Sequence, residues 1–135
     1  MRCKALFAIV LLCACSSSPE SGDAASAVTL AVAPAAASAG DSVVLTLRND
    51  SEAQIGYNLC TSELHRSTGG EWQSVPSDRV CTMELRTLAP QAEDRYTLEL
   101  PSRLEPGEYR YHTRVHIPVT GMPSDIQSES FQVRP

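Results

Sequence analysis

The stretch Tyr109-Arg-Tyr-His-Thr-Arg-Val-His-Ile117 decides the fold of this chain. Its large apolar side chains recur at every second position or at a multiple of two, with polar or charged side chains between them. A period of two predicts a β-strand with one buried face. The opposite face then carries four basic or titratable side chains, which we call the basic stripe: Arg110, His112, Arg114 and His116.

The same alternation recurs along the chain from Val28 onward. Turn signals rich in Gly, Pro, Asn and Asp separate short alternating segments at intervals of roughly 8 to 12 residues, which is typical of an all-β sandwich or barrel. No window predicts an amphipathic helix. The other predicted strands centre on residues 28–32, 43–47, 55–59, 83–85, 96–100 and 131–133.

The residues in front of the deciding strand, Leu104-Glu-Pro-Gly-Glu-Tyr109, resemble the tyrosine corner of immunoglobulin-like sandwiches. In that motif a Tyr at the start of a strand bonds back to the backbone just upstream. The stretch Gly40-Asp-Ser-Val-Val-Leu-Thr-Leu-Arg-Asn49 resembles the second strand of many bacterial immunoglobulin-like domains. Tyr111 stands where antibody domains have their second cysteine, which excludes their inter-sheet disulfide.

Residues 28–134 are similar in layout to small bacterial immunoglobulin-like lipoprotein domains, and more distantly to the intracellular proteinase-inhibitor sandwiches of bacilli. The resemblance implies an all-β fold over residues 28–135. We expect a single immunoglobulin-like antiparallel β-sandwich of about 7–8 strands, preceded by a signal peptide and a flexible tether.

The first fifteen residues predict export. Arg2 and Lys4 precede an apolar run that is far shorter than the roughly 20 residues of a transmembrane helix, as in a secretory signal peptide. The segment Leu12-Cys-Ala-Cys15 resembles the lipobox of bacterial lipoproteins. The resemblance implies that residues 1–14 are removed, that Cys15 is lipidated, and that residues 15–27 form the tether. The alternative is a plain secretory signal that is cut elsewhere.

The lipobox resemblance also implies the localisation, which is an exported protein anchored by lipid to a bacterial membrane. In an organism with two membranes, Ser16 after the lipidated Cys15 implies sorting to the outer membrane. Loss of residues 1–14 leaves 9 basic against 16 acidic side chains. This balance argues against nucleic acid as a partner, because nucleic-acid binding depends on neutralising phosphates. It also leaves the acyl chains as the only expected membrane contact.

Cys60 and Cys81 remain after removal of the signal and lipidation of Cys15. An even pair of cysteines in an exported chain predicts a disulfide. Gly69-Gly70 lies midway between them and is a strong hairpin signal. A hairpin centred there places Cys60 opposite residue 80 or 81, so the two cysteines are predicted to meet at its base.

No catalytic motif is present. The chain has no Gly-x-Ser-x-Gly segment, and Cys60 and Cys81 are not a Cys-x-x-Cys pair. We therefore expect that the protein is not an enzyme, and that it has no catalytic residue and no cofactor. The function expected is a non-catalytic interaction or accessory module on the membrane. One alternative is a protease inhibitor that uses an exposed loop at residues 118–124.

The histidines do not predict a metal site. His112 and His116 face the same way on one strand but lie about 13 Å apart, so they cannot share an ion. Adding His65, Met83 or Met122 could complete a soft site, but the spacing matches no ligand motif, and no metal is expected. A metal-binding lipoprotein is the less favoured alternative.

The basic stripe is the one surface feature from which we predict binding. It lies on a net acidic domain, and we expect it to dock an acidic protein partner or a glycan. The competing interpretation is a solvated strand face whose charge is balanced by neighbouring acids.

Overall fold

The computed structural model describes residues 24–118 and 121–135. The predicted signal peptide, Cys15 and residues 15–23 of the predicted tether lie outside the described residues. The last four tether residues, Ala24–Ala27, form one 3-10 turn, and the Ala27 carbonyl accepts a hydrogen bond from the Asp50 N–H at 2.8 Å. Within the described ranges, no helix has both the length and the apolarity needed to cross a membrane.

Strands and two short 3-10 turns make up the regular structure of the described chain, which confirms the predicted all-β sandwich. The second 3-10 turn is Leu59–Thr61. The strands are β1 Val28–Ala33, β2 Ala36–Ser38, β3 Ser42–Asn49, β4 Ile55–Tyr57, β5 Glu63–Thr68, β6 Glu71–Ser74, β7 Arg86–Leu88, β8 Ala92–Glu99, β9 Gly107–His116, β10 Pro123–Gln127 and β11 Phe131–Arg134. Their number exceeds the expected 7–8 because several contain only three or four residues.

The strands form two sheets. The smaller sheet has the order β1-β3-β8, and the larger is built around β9. Strand β9 pairs with β11 and β10 along one edge and with β5 and β4 along the other. Strand β2 runs parallel to β11, which departs from the expected fully antiparallel sandwich.

The core lies between the two sheets and is filled by the predicted alternating positions. Strand β3 buries Val43, Leu45 and Leu47 completely, while β9 buries Tyr109, Tyr111 and Val115. The Tyr111 ring stacks on Phe131 of β11 with 6.0 Å between centroids. Burial raises the pKa of Tyr111 to about 12, because the phenolate would lose its hydration there.

The tyrosine corner is present. The Tyr109 hydroxyl donates a 2.7 Å hydrogen bond to the Glu105 carbonyl, four residues upstream. Arg66 of β5 lies 5.9 Å from the Tyr109 ring centroid and forms an ion pair with the Glu105 side chain. The corner thus joins the start of β9 to the neighbouring strand β5.

The hairpin at Gly69-Gly70 is also present, with both glycines at positive φ, as a tight two-residue turn requires. Thr68 pairs with Glu71, so the register differs by one or two residues from the predicted one. Strand β6 ends at Ser74, and the cysteines lie beyond the ladder.

Cys60 and Cys81 form a disulfide, with their Cα atoms 5.8 Å apart. Cys60 lies in the turn Leu59–Thr61, and Cys81 lies in residues 75–85, which contain no strand. The strand predicted at 83–85 is therefore wrong. Met83 is 94% exposed and Leu85 is 54% exposed, because no second layer covers this segment.

Replacing Tyr109 with Phe tests the tyrosine corner. The change removes the hydrogen bond to the partly buried Glu105 carbonyl, and we expect the free energy of unfolding to fall by about 0.5–1.5 kcal/mol in urea denaturation. Tyr96→Phe is the matched control, because it removes a hydroxyl from a partly buried tyrosine of the other sheet. An unchanged midpoint for Tyr109→Phe would show that the corner does not stabilise the fold.

Reduction of the disulfide should lower the free energy of unfolding by roughly 2–5 kcal/mol, the usual range for small secreted domains. Non-reducing peptide mapping of exported protein should recover Cys60 and Cys81 in one linked pair. The double variant Cys60→Ser/Cys81→Ser reports the same loss without a reductant. Two free thiols in folded, oxidised protein would contradict the linkage.

Candidate functional site

The outer face of β9 carries the basic stripe. Inward side chains are buried, while Arg110 and His112 are half-buried and Arg114 and His116 are exposed. The neighbouring strands add acidic and aromatic side chains to this face. In the pairing register, Glu63 lies opposite His112, His65 opposite Arg110, and Asp125 opposite Arg114.

Arg110 is held by stacking. Its guanidinium carbon lies 4.1 Å from the centroid of the Trp72 ring, which β6 brings alongside β5. The Arg110 Nε atom is buried without a hydrogen-bond partner. The contact with the Trp72 ring is therefore the main interaction that holds the Arg110 side chain. A stacked guanidinium of this kind keeps its charge while losing its freedom to move.

The two histidines nearest the centre of the sheet lie together. The ring centroids of His65 and His112 are 5.3 Å apart. The Nε2 atom of His65 is 3.4 Å from Glu63 Oε2, and the Nε2 atom of His112 is 3.4 Å from Asp125 Oδ1. Glu63, His65 and His112, which we call the histidine cluster, each offer a ligand atom, and these atoms all lie within 4.8 Å of one another.

Arg114 shares Asp125 with His112, at 3.3 Å from Arg114 Nε to Asp125 Oδ1. The Arg114 side chain remains 62% exposed, so this pair is a surface ion pair in open solvent. Such pairs contribute little stability and exchange readily for other carboxylates. The acids around the stripe therefore balance part of its charge without covering it.

Residues 83–85 border the stripe and form a groove with it. The groove has a volume of about 340 Å³, and its walls include Met83, Leu85, His112, Arg114 and His116. A second groove of about 280 Å³ adjoins the first and shares Leu85 and His116 with it. Exposed apolar side chains thus lie directly beside basic ones.

Backbone and covalent contacts hold this segment in place. The disulfide joins Cys81 to Cys60, and Asn58 Nδ2 donates a 2.8 Å hydrogen bond to the Thr82 carbonyl. Leu85 packs over Gly56 of β4, where a Cβ atom would lie 2.9 Å from Leu85 Cδ2. Gly56 is therefore needed for this close approach of side chain and sheet.

The fold brings together only some of the residues that the sequence predicted as site residues. The four members of the basic stripe share one strand face, whereas His112 and His116 contact different neighbours. Of the soft ligands considered, Met83 lines the first groove and Met122 the second. Cys15 lies outside the described residues.

The loop expected at 118–124 is shorter in the structure. Strand β10 begins at Pro123, which pairs with His116, and the Gly121 N–H donates a 3.2 Å hydrogen bond to the Ile117 carbonyl. The prediction that Pro123 and Ser124 belong to an exposed inhibitory loop is wrong, because they continue the hairpin. Residues 119 and 120 lie outside the described ranges.

Glu63 and Trp72 also belong to this face, and neither was predicted from the sequence as a site residue. The available signal was Glu63-x-His65 on a strand in front of a Gly-Gly hairpin, which places both side chains on one face. Alternation does not indicate which strand lies beside β5 in the sheet. The pairing of β5 with β9 joins residues far apart in sequence and could not be deduced from a local pattern.

No curated protein sequence matches the chain. Among solved structures, a Bordetella pertussis protein assigned as ApaA is similar, with a TM-score of 0.50 and 16% identity over 78% of this chain and 88% of that one. At that identity the likeness concerns the fold alone.

Two further structures are similar at lower scores. The alkylpurine DNA glycosylase AlkC of Pseudomonas fluorescens has a TM-score of 0.42 and 17% identity, covering 81% of this chain and 31% of that one. PapD-like domain 7 of human CEP192 has a TM-score of 0.39 and 12% identity, covering 96% of this chain and 98% of that one.

A sequence profile of the bacterial Ig-like domain family matches residues 25–129, which span every strand from β1 to β10. The profile covers well over half of the chain and agrees with the observed sandwich. The chain belongs to the bacterial Ig-like domain family.

Proposed function

We propose that this protein is an exported, lipid-anchored interaction module whose outer β9 face binds an acidic segment of a partner protein. The observation that carries the proposal is the adjacency of the basic stripe to the exposed side chains of Met83 and Leu85 in one groove. No catalytic chemistry is part of the proposal.

Family membership supports the general class. Bacterial Ig-like domains are typically extracellular or surface domains, and immunoglobulin-like folds are generally non-catalytic. Fold alone does not identify a partner, so the partner must be argued from the surface.

The charge distribution favours carboxylates. The chain as a whole has a formal net charge of −5, yet β9 presents two arginines and two histidines on one face. Arg110 and Arg114 are four residues apart on a rigid strand, which separates their Cα atoms by about 13 Å. Guanidinium groups can bind carboxylates bidentately, and Arg114 already makes a single 3.3 Å contact with a carboxylate oxygen of Asp125.

The apolar rim favours a protein over a glycan. Exposed apolar side chains grouped beside polar ones mark protein-binding surfaces. Flexible Met side chains adapt to different partners. Arg110 occupies one face of Trp72, which reduces the aromatic surface on which a sugar ring could stack. An acidic segment with one or two apolar side chains fits the groove better.

The anchor is proposed from the lipobox resemblance at Leu12-Cys-Ala-Cys15. Lipid on Cys15 followed by a tether of residues 15–27 would keep the domain close to the bilayer, since such a linker spans about 20 Å. A partner in the same membrane would then be within reach.

Recovery of a partner from native membranes tests the docking face, with the lipidated protein as bait. The double variant Arg110→Gln/Arg114→Gln and the double variant Arg114→Gln/Leu85→Ser should each capture markedly less partner than wild type. The second avoids disturbing the Arg110–Trp72 stack. Capture should also weaken with salt.

The matched control is Arg48→Gln/Arg95→Gln, which makes the same charge change on the outer face of the smaller sheet. Its capture should equal that of wild type. Equal capture by all three double variants would show that the basic stripe is only a solvated strand face. Capture of a glycan that contains no protein would overturn the assignment of partner class.

Cys15→Ala tests the anchor. We expect the variant precursor to remain unacylated and to lose its lipoprotein-type cleavage. Mass spectrometry of the mature N-terminus measures both events, with Cys13→Ala as the control that keeps the acceptor cysteine. A mature wild-type protein that begins elsewhere, or carries an unmodified Cys15, would contradict the proposal.

A further inference from the structure

We propose that Glu63, His65 and His112 bind one divalent transition-metal ion where β5 meets β9. The site requires neither a bound partner nor the lipid anchor, and it shares His112 with the basic stripe. It arises because two strands far apart in sequence each present an imidazole on the same sheet face, with the Glu63 carboxylate nearby.

The pairing register creates the site. Glu63 and His112 lie directly opposite each other across the β5–β9 ladder, and His65 follows Glu63 by two residues on the same face. Directly opposed residues have Cβ atoms about 4.5–5.5 Å apart. The ligand atoms of the histidine cluster consequently lie within 4.8 Å of one another.

Binding requires only a small contraction. Zinc ligands at about 2.0–2.1 Å from the ion are about 3.3 Å apart in a tetrahedron. Closing to that spacing from separations of up to 4.8 Å needs side-chain rotations, and Glu63 has the most freedom to rotate because its side chain is 60% exposed. The two rings are already restrained, since the side chains of His65 and His112 are only 18% and 17% exposed.

A neighbouring carboxylate supports the arrangement. Asp125 Oδ1 lies 3.4 Å from His112 Nε2 and is itself held by Arg114 at 3.3 Å. Metal-binding histidines usually direct their other ring nitrogen to a carboxylate or carbonyl, which orients the ring. Asp125 can orient the His112 ring in this way, or it can bind the ion as a further ligand.

The positive charges nearby are already engaged. Arg110, opposite His65, stacks on Trp72, and Arg114 pairs with Asp125. The groove of about 340 Å³ is bordered by Glu63 and His112 and gives an ion a route from solvent. A site of this kind keeps open positions for water or for a side chain of a partner.

The donor set indicates the class of ion. Imidazole suits Zn²⁺, Cu²⁺ and Ni²⁺, whereas Ca²⁺ takes six to eight oxygen ligands and Mg²⁺ an octahedron of oxygens. Among divalent ions of the first transition row, Cu²⁺ should bind most tightly. The alternative is that the two His–carboxylate contacts are ordinary surface ion pairs with no ion between them.

Isothermal titration of the full chain with Cu²⁺, Zn²⁺ and Mg²⁺ tests the site. The chain should carry no polyhistidine tag, should have Cys3, Cys13 and Cys15 changed to Ser so that thiols bind nothing, and should keep its disulfide. We expect one Cu²⁺ and one Zn²⁺ per chain and no measurable heat from Mg²⁺. His65→Ala and His112→Ala should each weaken Cu²⁺ binding at least roughly tenfold.

His116→Ala is the matched control, since it removes an imidazole from the same strand face but outside the histidine cluster. Its Cu²⁺ affinity should stay within about twofold of wild type. Electron paramagnetic resonance of the wild-type Cu²⁺ complex gives a second readout that needs no variant, and it should show two coordinated nitrogens from imidazole.

Binding of less than one ion per chain would overturn the proposal. So would Cu²⁺ binding that His65→Ala and His112→Ala leave unchanged in folded protein, or a spectrum with no imidazole nitrogen. Leu85→Ser changes the apolar wall of the groove and touches no residue of the histidine cluster, so it should weaken partner capture and leave Cu²⁺ binding intact. The two proposals therefore fail separately.

Discussion

The backbone pairing of β9 along both of its edges is the constraint on which the larger sheet depends. Four other strands hydrogen-bond to this one strand. Because side chains alternate across a strand, the burial of Tyr109, Tyr111 and Val115 fixes the direction of the side chains between them. Arg110, His112, Arg114 and His116 must face outward, and the tyrosine corner fixes the point at which this alternation begins.

The same pairing brings distant residues to the outer face. Glu63 and His65 lie on strand β5, Trp72 lies on β6, and Asp125 lies on β10. The disulfide then ties residues 75–85 beside the sheet, so that Met83 and Leu85 border the stripe. Docking and metal binding are two properties of this single face, and His112 belongs to both.

Local sequence patterns were sufficient to predict most of the side chains that fill the core between the two sheets. Alternation predicted the buried positions of β1, β3, β8, β9 and β11, the Gly69-Gly70 signal predicted the hairpin, and the motif before Tyr109 predicted its hydrogen bond. The prediction was wrong at 83–85, where Met83 and Leu85 alternate like core residues but lie in the open. Alternation reports which side chains could share a face and is silent on whether another layer covers that face.

The histidine cluster and the Arg110–Trp72 stack could not be predicted for a different reason. Each depends on which strands pair and in which register, and a slip of two residues would separate Glu63 from His112 without changing any local pattern. Alternation predicts the outward position of His112, and His65 is a candidate companion for it, but no local pattern places the two rings 5.3 Å apart. Long-range register is set by the sum of core contacts.

Residue-resolved hydrogen exchange tests the central role of β9 most directly. Amides of Tyr109, Thr113 and Val115 should exchange only through global unfolding, with free energies equal to that from urea denaturation, because both edges of the strand are paired. Amides of residues 77–85 should exchange through local openings of much lower free energy. Exchange of the β9 amides through local opening, well below the global value, would contradict the account, since the outer face could not then be rigidly presented.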